Sequence, residues 1–167
     1  IFVSSFFIVW HRERGALHAP EFTMLEFYQA YTDYRELMDI TEQMLRGVAD
    51  TVLGTSCFEY QGQQLDFGAP FARLTVLEAI CKYQPEITVE QLLDMDSLHA
   101  LVRKFGSQPG VNWGIGRLQM ELFELKVEHL LQQPTFVTEY PTEVSPLARR
   151  NNDNPLVTDR FELFIGG

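Results

Sequence analysis

The sequence predicts an α+β domain. Aromatic-rich runs with strand alternation stand at both ends of the chain, helix starts marked by capping boxes cluster between them, and the strands are not interleaved with helices as repeated βαβ units would require. With 167 residues, 46% of them hydrophobic and 13% aromatic, the chain is long enough to bury one ordinary core. Its 22% charged residues are typical of a soluble domain.

The opening run Ile1 to Trp10 is apolar but too short to cross a bilayer, and no charged leader precedes it, so it reads as a buried strand rather than a membrane span or secretory signal. Glu21 to Tyr31 is a second strand, bounded by Pro20 and Thr32-Asp33. Strand alternation puts Phe22, Met24, Glu26 and Tyr28 on one of its faces. Asp33 with Glu36 three residues on opens a helix whose core stripe is Leu37, Ile40, Met44 and Val48 and whose end is Gly54.

Cys57 to Phe67 then suggests a hairpin turning at Gln61-Gly62. Short helices open at Thr75 with Glu78, at Thr88 with Gln91, and at Ser97. Gly106 and Pro109-Gly110 break the pattern, and an amphipathic helix follows from about Ile115 to Leu131, stopping before Pro134. Thr135 to Tyr140 and Arg160 to Ile165 are the last strands. The chain begins without Met and stops at Gly166-Gly167 directly after a strand-like run with no visible partner, which suggests a piece of a longer protein.

Charge and cysteine usage exclude several functions. Lys and Arg number 13 against 23 Asp and Glu, a net charge of −10, so the piece as a whole has no basic surface to hold a nucleic-acid backbone. Cys57 and Cys81 form no CxxC pair, and the histidines have no metal-ligand spacing, which points to a reducing cytoplasm. His99 and His129 have no acid or nucleophile at useful spacing and read as surface or packing residues. Gly114-Ile-Gly116-Arg117 looks like a phosphate loop, yet no strand precedes it, and it reads as the opening of the long helix. Arg149-Arg150 could touch RNA or a nucleotide, although a solvated loop pair is the commoner arrangement.

The strand face bearing Phe22, Glu26 and Tyr28 is the first candidate site: an aromatic wall beside one carboxylate suits a flat ring and an ammonium group. A plainly structural alternative is a core strand with one Glu snorkelling at its edge. The run HAPEFTMLEFYQAYTDY, His18 to Tyr34, closely resembles the second half of the second signature motif of bacterial class II lysyl-tRNA synthetases. TFVTEYPTEVSPLARRNNDNPLVTDRFELFIGG, from Thr135, resembles the strand, loop and strand that follow the helical insertion of those enzymes. Both blocks are long, ungapped and in the expected order, and the resemblance runs from His18 to Gly167.

The resemblance implies an internal piece of the catalytic domain, part of an antiparallel sheet with flanking helices and a helical insertion. Residues 17–74 would form the second-motif strand, helix and hairpin, 75–131 the insertion and 132–167 the returning strands, with residues 1–16 unmatched. It further implies a lysine–tRNA ligase that forms lysyl-adenylate from lysine and ATP and passes the lysyl group to tRNA. His18 and Phe22 would bind ATP, Glu26 and Tyr28 the lysine, and Glu162 would be a carboxylate for Mg²⁺. A cytoplasmic homodimer with no membrane association is expected of the full-length enzyme.

No catalytic residue is assignable. The family carries a Phe-Arg-x-Glu strand ahead of the His block, whereas Arg12 and Arg14 here flank Glu13 and stand too close to His18. The second metal carboxylate, the first motif's dimer helix and the third motif's arginine are not matched, so the piece alone is expected to be inactive. A ligase that attaches lysine to a translation elongation factor shares the first block but lacks the run Ser145 to Arg150. A non-catalytic synthetase-like module is the alternative from another class.

Overall fold

The computed structural model describes residues 2–10 and 21–167, and for 2–10 and 21–24 it describes backbone pairing alone. The chain divides into a smaller unit, Ile1–Leu37, and a larger one, Met38–Gly167, with the division falling inside a helix.

In the smaller unit β1 (Phe2–Trp10) and β2 (Glu21–Gln29) pair antiparallel, with a regular register from Phe2 opposite Gln29 to Trp10 opposite Glu21. The opening apolar run is therefore a strand, as its composition predicts. Thr32 donates its hydroxyl to Gln29 O at 3.1 Å, and Asp33 then caps the next helix: its Oδ1 accepts Arg35 N at 2.8 Å and Glu36 N at 3.3 Å, while Glu36 accepts Asp33 N at 3.3 Å. This is the capping box read from the sequence. The Glu36 amide is the main cause that holds the Asp33 carboxyl below its usual range.

That helix, α1 (Tyr34–Leu53), ends at Gly54 in the left-handed conformation, φ 72. Its expected stripe is only partly buried, with Leu37, Ile40 and Met44 half-buried. Met38 and Ala49 are the buried residues, whereas Val48 is 54% exposed. The packed side is held by ions: Arg73 reaches Asp39 at 2.5 Å and Glu42 at 3.4 Å, and Arg46 reaches Glu42 at 2.8 Å. Arg46 also donates to Phe67 O at 2.6 Å. Carboxylates at 39 and 42 thus select the face that meets the rest of the unit, and an apolar periodicity alone could not show it.

β3 (Cys57–Tyr60) and β4 (Gln63–Asp66) form the expected hairpin, with Gln61 and Gly62 both at positive φ in the turn. A mixed sheet orders β5 (Ala72–Thr75), β6 (Thr135–Thr138) and β7 (Phe161–Phe164), with β5 parallel and β7 antiparallel to β6. β5 was not foreseen, because four residues ending in a helix cap show no alternation. The last strand does have a partner, since β7 pairs with β6 from Phe161 opposite Thr138 to Phe164 opposite Thr135.

Between β5 and β6 lie α2 (Val76–Tyr83), α3 (Val89–Leu93), α4 (Met95–Lys104) and α5 (Ile115–Lys126). Thr75 and Thr88 cap α2 and α3 by complete capping boxes. At α4 the cap is Asp94, whose Oδ2 accepts Ser97 N at 2.9 Å, so Ser97 is the third helical residue rather than the start. The core lies here, with Ile80, Leu92, Leu98, Val102, Leu118 and Phe123 essentially inaccessible. Burying each such side chain contributes about 1.5–3 kcal/mol before entropy is charged.

α5 stops at Lys126, short of the expected Leu131. Val127 leaves helical geometry at φ −124, and Glu128–Leu130 forms a 3-10 turn. Val127 and Leu131 are both fully buried, so the tightened turn seats these apolar anchors before the chain enters β6. Gly114 and Gly116 open α5 for a packing reason: a Cβ on Gly116 would lie 2.6 Å from Pro141 Cβ.

Candidate functional site

The sequence-predicted residues are divided between the two units. His18 lies outside the described residues, and for Phe22 only the register is described, opposite Val9. Glu26 stands opposite Ser5 and Tyr28 opposite Val3, so the unbroken alternation of β2 keeps positions 22, 26 and 28 on one face. Glu26 is half-buried and Tyr28 is 59% exposed. Among the described residues none is bonded to the Glu26 carboxylate. A carboxylate without an internal cation, two residues from a phenol, can accept an ammonium group and hydrogen-bond it from the side.

Glu162 sits in the larger unit on β7, where the sequence revealed less than the structure does. Its Oε2 accepts the Tyr140 hydroxyl at 2.9 Å, and its Oε1 pairs with Arg160. Arg160 also donates to Ser145 Oγ at 2.7 Å, and its guanidinium stands 4.2 Å from the centroid of the Tyr140 ring. Glu124 and Glu128 share this pocket. Burial first, and the Glu162 charge second, push the Tyr140 phenol far above its ordinary value. Burial and then the charges of Glu124 and Glu162 likewise raise the Glu128 carboxyl, with His129 opposing.

Tyr140, Ser145 and Arg160 were missed as partners of Glu162. The available signal was the spacing of Arg160 and Glu162, two apart in the run Arg160 to Ile165 that the sequence presents as one strand, although β7 itself begins at Phe161. Mg²⁺ takes one or two carboxylates together with phosphate and water. Glu162 is the carboxylate expected for it, yet both of its oxygens already serve Tyr140 and Arg160, and among the described residues no group of three His, Cys, Asp or Glu converges on a cation position. The residues described here thus do not by themselves fit a resident Mg²⁺.

Gly114-Ile-Gly116-Arg117 is no phosphate loop. Glu143 fills the position an anion would take, accepting Gly114 N at 2.8 Å and Arg117 N at 3.3 Å. Arg149 approaches Asp159 at 3.8 Å and is largely solvated. Among the described residues no helix is long and apolar enough to cross a membrane.

Comparison with known proteins supplies a frame for these residues. The family model described as tRNA synthetases class II (D, K and N) matches residues 12–167. A protein of Idiomarina loihiensis named lysine–tRNA ligase is 60% identical over 150 residues, which cover 90% of this chain and 30% of that protein. Lysine–tRNA ligases of Yersinia enterocolitica and Yersinia pestis are 57% and 56% identical over the same length. The chain therefore spans 30% of the length of the relatives it matches.

Proposed function

The chain belongs to the class II tRNA synthetase family (D, K and N), and on that premise we propose that it is the lysine-selecting part of a lysine–tRNA ligase. The observation that carries this reading is Glu26: a half-buried carboxylate on β2, free of any described partner and two residues from Tyr28. A lysine ammonium would complete that pair. An uncharged side chain would leave the carboxylate desolvated and unpaired, at a cost of up to about 3–5 kcal/mol, which is ample for selection.

In the proposed reaction a lysine carboxylate oxygen attacks the α-phosphorus of ATP, pyrophosphate leaves, and lysyl-adenylate forms. The terminal ribose hydroxyl of tRNA then attacks the lysyl carbonyl and AMP departs. His18 and Phe22 would hold the nucleotide, the latter by stacking on the adenine. Glu26 and Tyr28 hold the substrate amine and so fix the distance over which its carboxylate reaches the phosphate. Glu162 would contribute one carboxylate to the nucleotide's Mg²⁺ in the full-length enzyme only together with ligands from outside this chain, such as the nucleotide's phosphates and water. A cytoplasmic, homodimeric full-length protein belongs to the same reading.

A chimera tests it. This chain replaces the matching segment of the Idiomarina enzyme, and lysine-dependent pyrophosphate exchange and tRNA lysylation are measured, together with calorimetric titration of the chain alone with lysine. The chimera is expected to be active, and Glu26→Gln to weaken lysine binding by about 100-fold, roughly 3 kcal/mol. Unchanged lysine affinity in the Glu26→Gln chimera would refute the assignment of Glu26. A chimera that folds and forms no adenylate would favour a module without catalytic function.

A further inference from the structure

Within the larger unit a cavity of about 790 Å3 opens between the starts of α2 and α5 and the loop that follows β6. Its walls are apolar, formed by Leu77, Leu93, Met95, Ile115 and Leu156. Leu93 is 57% and Leu156 78% exposed, so the cavity has an apolar mouth as well as an apolar floor. Concave apolar spaces of this size that also contain a few convergent polar groups are the usual form of small-molecule sites.

Of the polar side chains that line it, Thr75, Gln119, Thr142, Glu143 and Asn154 are engaged in hydrogen bonds within the fold, which leaves the half-buried Glu139 and the exposed Arg150. Both line the cavity, and among the described residues neither makes an ion pair or a side-chain hydrogen bond. Their neighbours behave differently: Glu143 caps α5 through Gly114, and Arg149 lies 3.8 Å from Asp159. A backbone bridge holds Arg150 opposite Thr158, and Thr158 N in turn donates to Tyr140 O, next in sequence to Glu139, at 2.9 Å.

Glu139 is also strained. It takes φ 56, a left-handed conformation that a glycine or asparagine would adopt at lower cost. β6 ends immediately before it, so the kink turns its side chain out of the ladder at the cavity wall. A strained residue held in place by its surroundings, with its charge unanswered, is a feature of binding positions more than of packing ones.

We propose that this cavity binds a small organic zwitterion with a bulky apolar body, its ammonium group on Glu139 and its carboxylate on Arg150. The apolar body would fill the space between Leu77, Ile115 and Leu156. An extended protein strand is a poorer occupant. Pro141, Pro146 and Pro155 line the same wall and offer no N–H to a ladder. Amino acids with large side chains, or dipeptides built from them, have the required charges and bulk.

The probe is the free dipeptide phenylalanyl-leucine, titrated into the full chain with methyl groups of Leu77, Ile115 and Leu156 followed by NMR. Binding is expected with Kd in the range of about 0.1–1 mM. Glu139→Gln and Arg150→Gln should each weaken it about five-fold or more. N-acetylation of the probe should abolish the effect of the first variant, and C-terminal amidation that of the second. Glu139→Gly separates binding from folding, because it should raise Tm by relieving the left-handed strain while weakening the probe as much as Glu139→Gln does. Absence of any methyl shift up to about 5 mM, or affinity unaltered in both charge variants, overturns the proposal. So does a Glu139→Gly protein that binds as tightly as the unaltered chain.

Discussion

The hydroxyl of Tyr140 donates to Glu162 at 2.9 Å, with the tyrosine side chain 2% exposed and the Arg160 guanidinium 4.2 Å from its ring centroid. A buried phenol on a charged acceptor contributes more than a neutral pair, although Glu162 keeps 45% of its side-chain exposure and so regains some hydration when the bond is lost. Tyr140→Phe keeps the ring under Arg160 and removes only this bond. The expected loss is about 1–2 kcal/mol, or about 3–6 °C in Tm. An unchanged melting point would show that water replaces the phenol at no cost.

Gly116 and Pro141 meet so closely that α5 could not start where it does with a side chain at 116. The Cβ of an alanine would lie 2.6 Å from Pro141 Cβ and 3.2 Å from Glu143 Cβ. Alanine favours helices by about 1 kcal/mol over glycine, yet the clash falls on a rigid proline, so overpacking dominates. Gly116→Ala is expected to destabilise by about 1–3 kcal/mol in urea unfolding, whereas propensity alone predicts the opposite sign. A stabilised variant would mean that the loop after β6 yields freely.

How much of this was legible in the sequence depends on how local the cause is. Asp33 with Glu36, Thr75 with Glu78 and Thr88 with Gln91 announced their helices because a capping box is complete within four residues. The turn at Gln61-Gly62 was legible for the same reason. The packed face of α1 was not, since it depends on Arg73, 34 residues from Asp39. Neither was β5, a short strand defined by its partner, nor the early stop of α5, decided by the burial of Val127 and Leu131.

The site divides along the same line. Alternation alone put Glu26 and Tyr28 on one face. Glu162 was reached through resemblance only, and its engagement by Tyr140 and Arg160 comes from chain segments that only the fold brings together. The unpartnered Glu139 left no trace in the sequence, because a left-handed φ at a non-glycine residue has no compositional mark.

Glu42 joins two cations, Arg46 at 2.8 Å and Arg73 at 3.4 Å, and its side chain is only 12% exposed. Removing it leaves both guanidiniums short of a counter-charge, although Arg73 retains Asp39. Glu42→Ala is expected to cost about 2 kcal/mol and to depend little on salt, because partial burial shields the pair from ions. Asp39→Asn, at a carboxylate 54% exposed, should cost less than about 1 kcal/mol and lose its effect in high salt. Equal, salt-sensitive losses in both variants would place the network at the surface and leave the orientation of α1 to Met38 and Ala49.

Glu128 lies in the fold with its carboxyl raised, by burial first and then by the negative charges of Glu124 and Glu162. A raised carboxyl binds its proton more tightly in the folded chain than in the unfolded one. Its contribution is therefore fully present below the unfolded value of about 4.3 and is lost as pH rises through the higher folded value. At about pH 7 the charged Glu128 is thus a liability, which Glu128→Gln removes without changing its size. The variant is expected to melt about 1–2 °C higher at neutral pH and to lose that advantage below about pH 4, where the native carboxyl is protonated as well. If the gain were equal at both pH values, charge would not be its origin, and the amide's own hydrogen bonds would account for it instead.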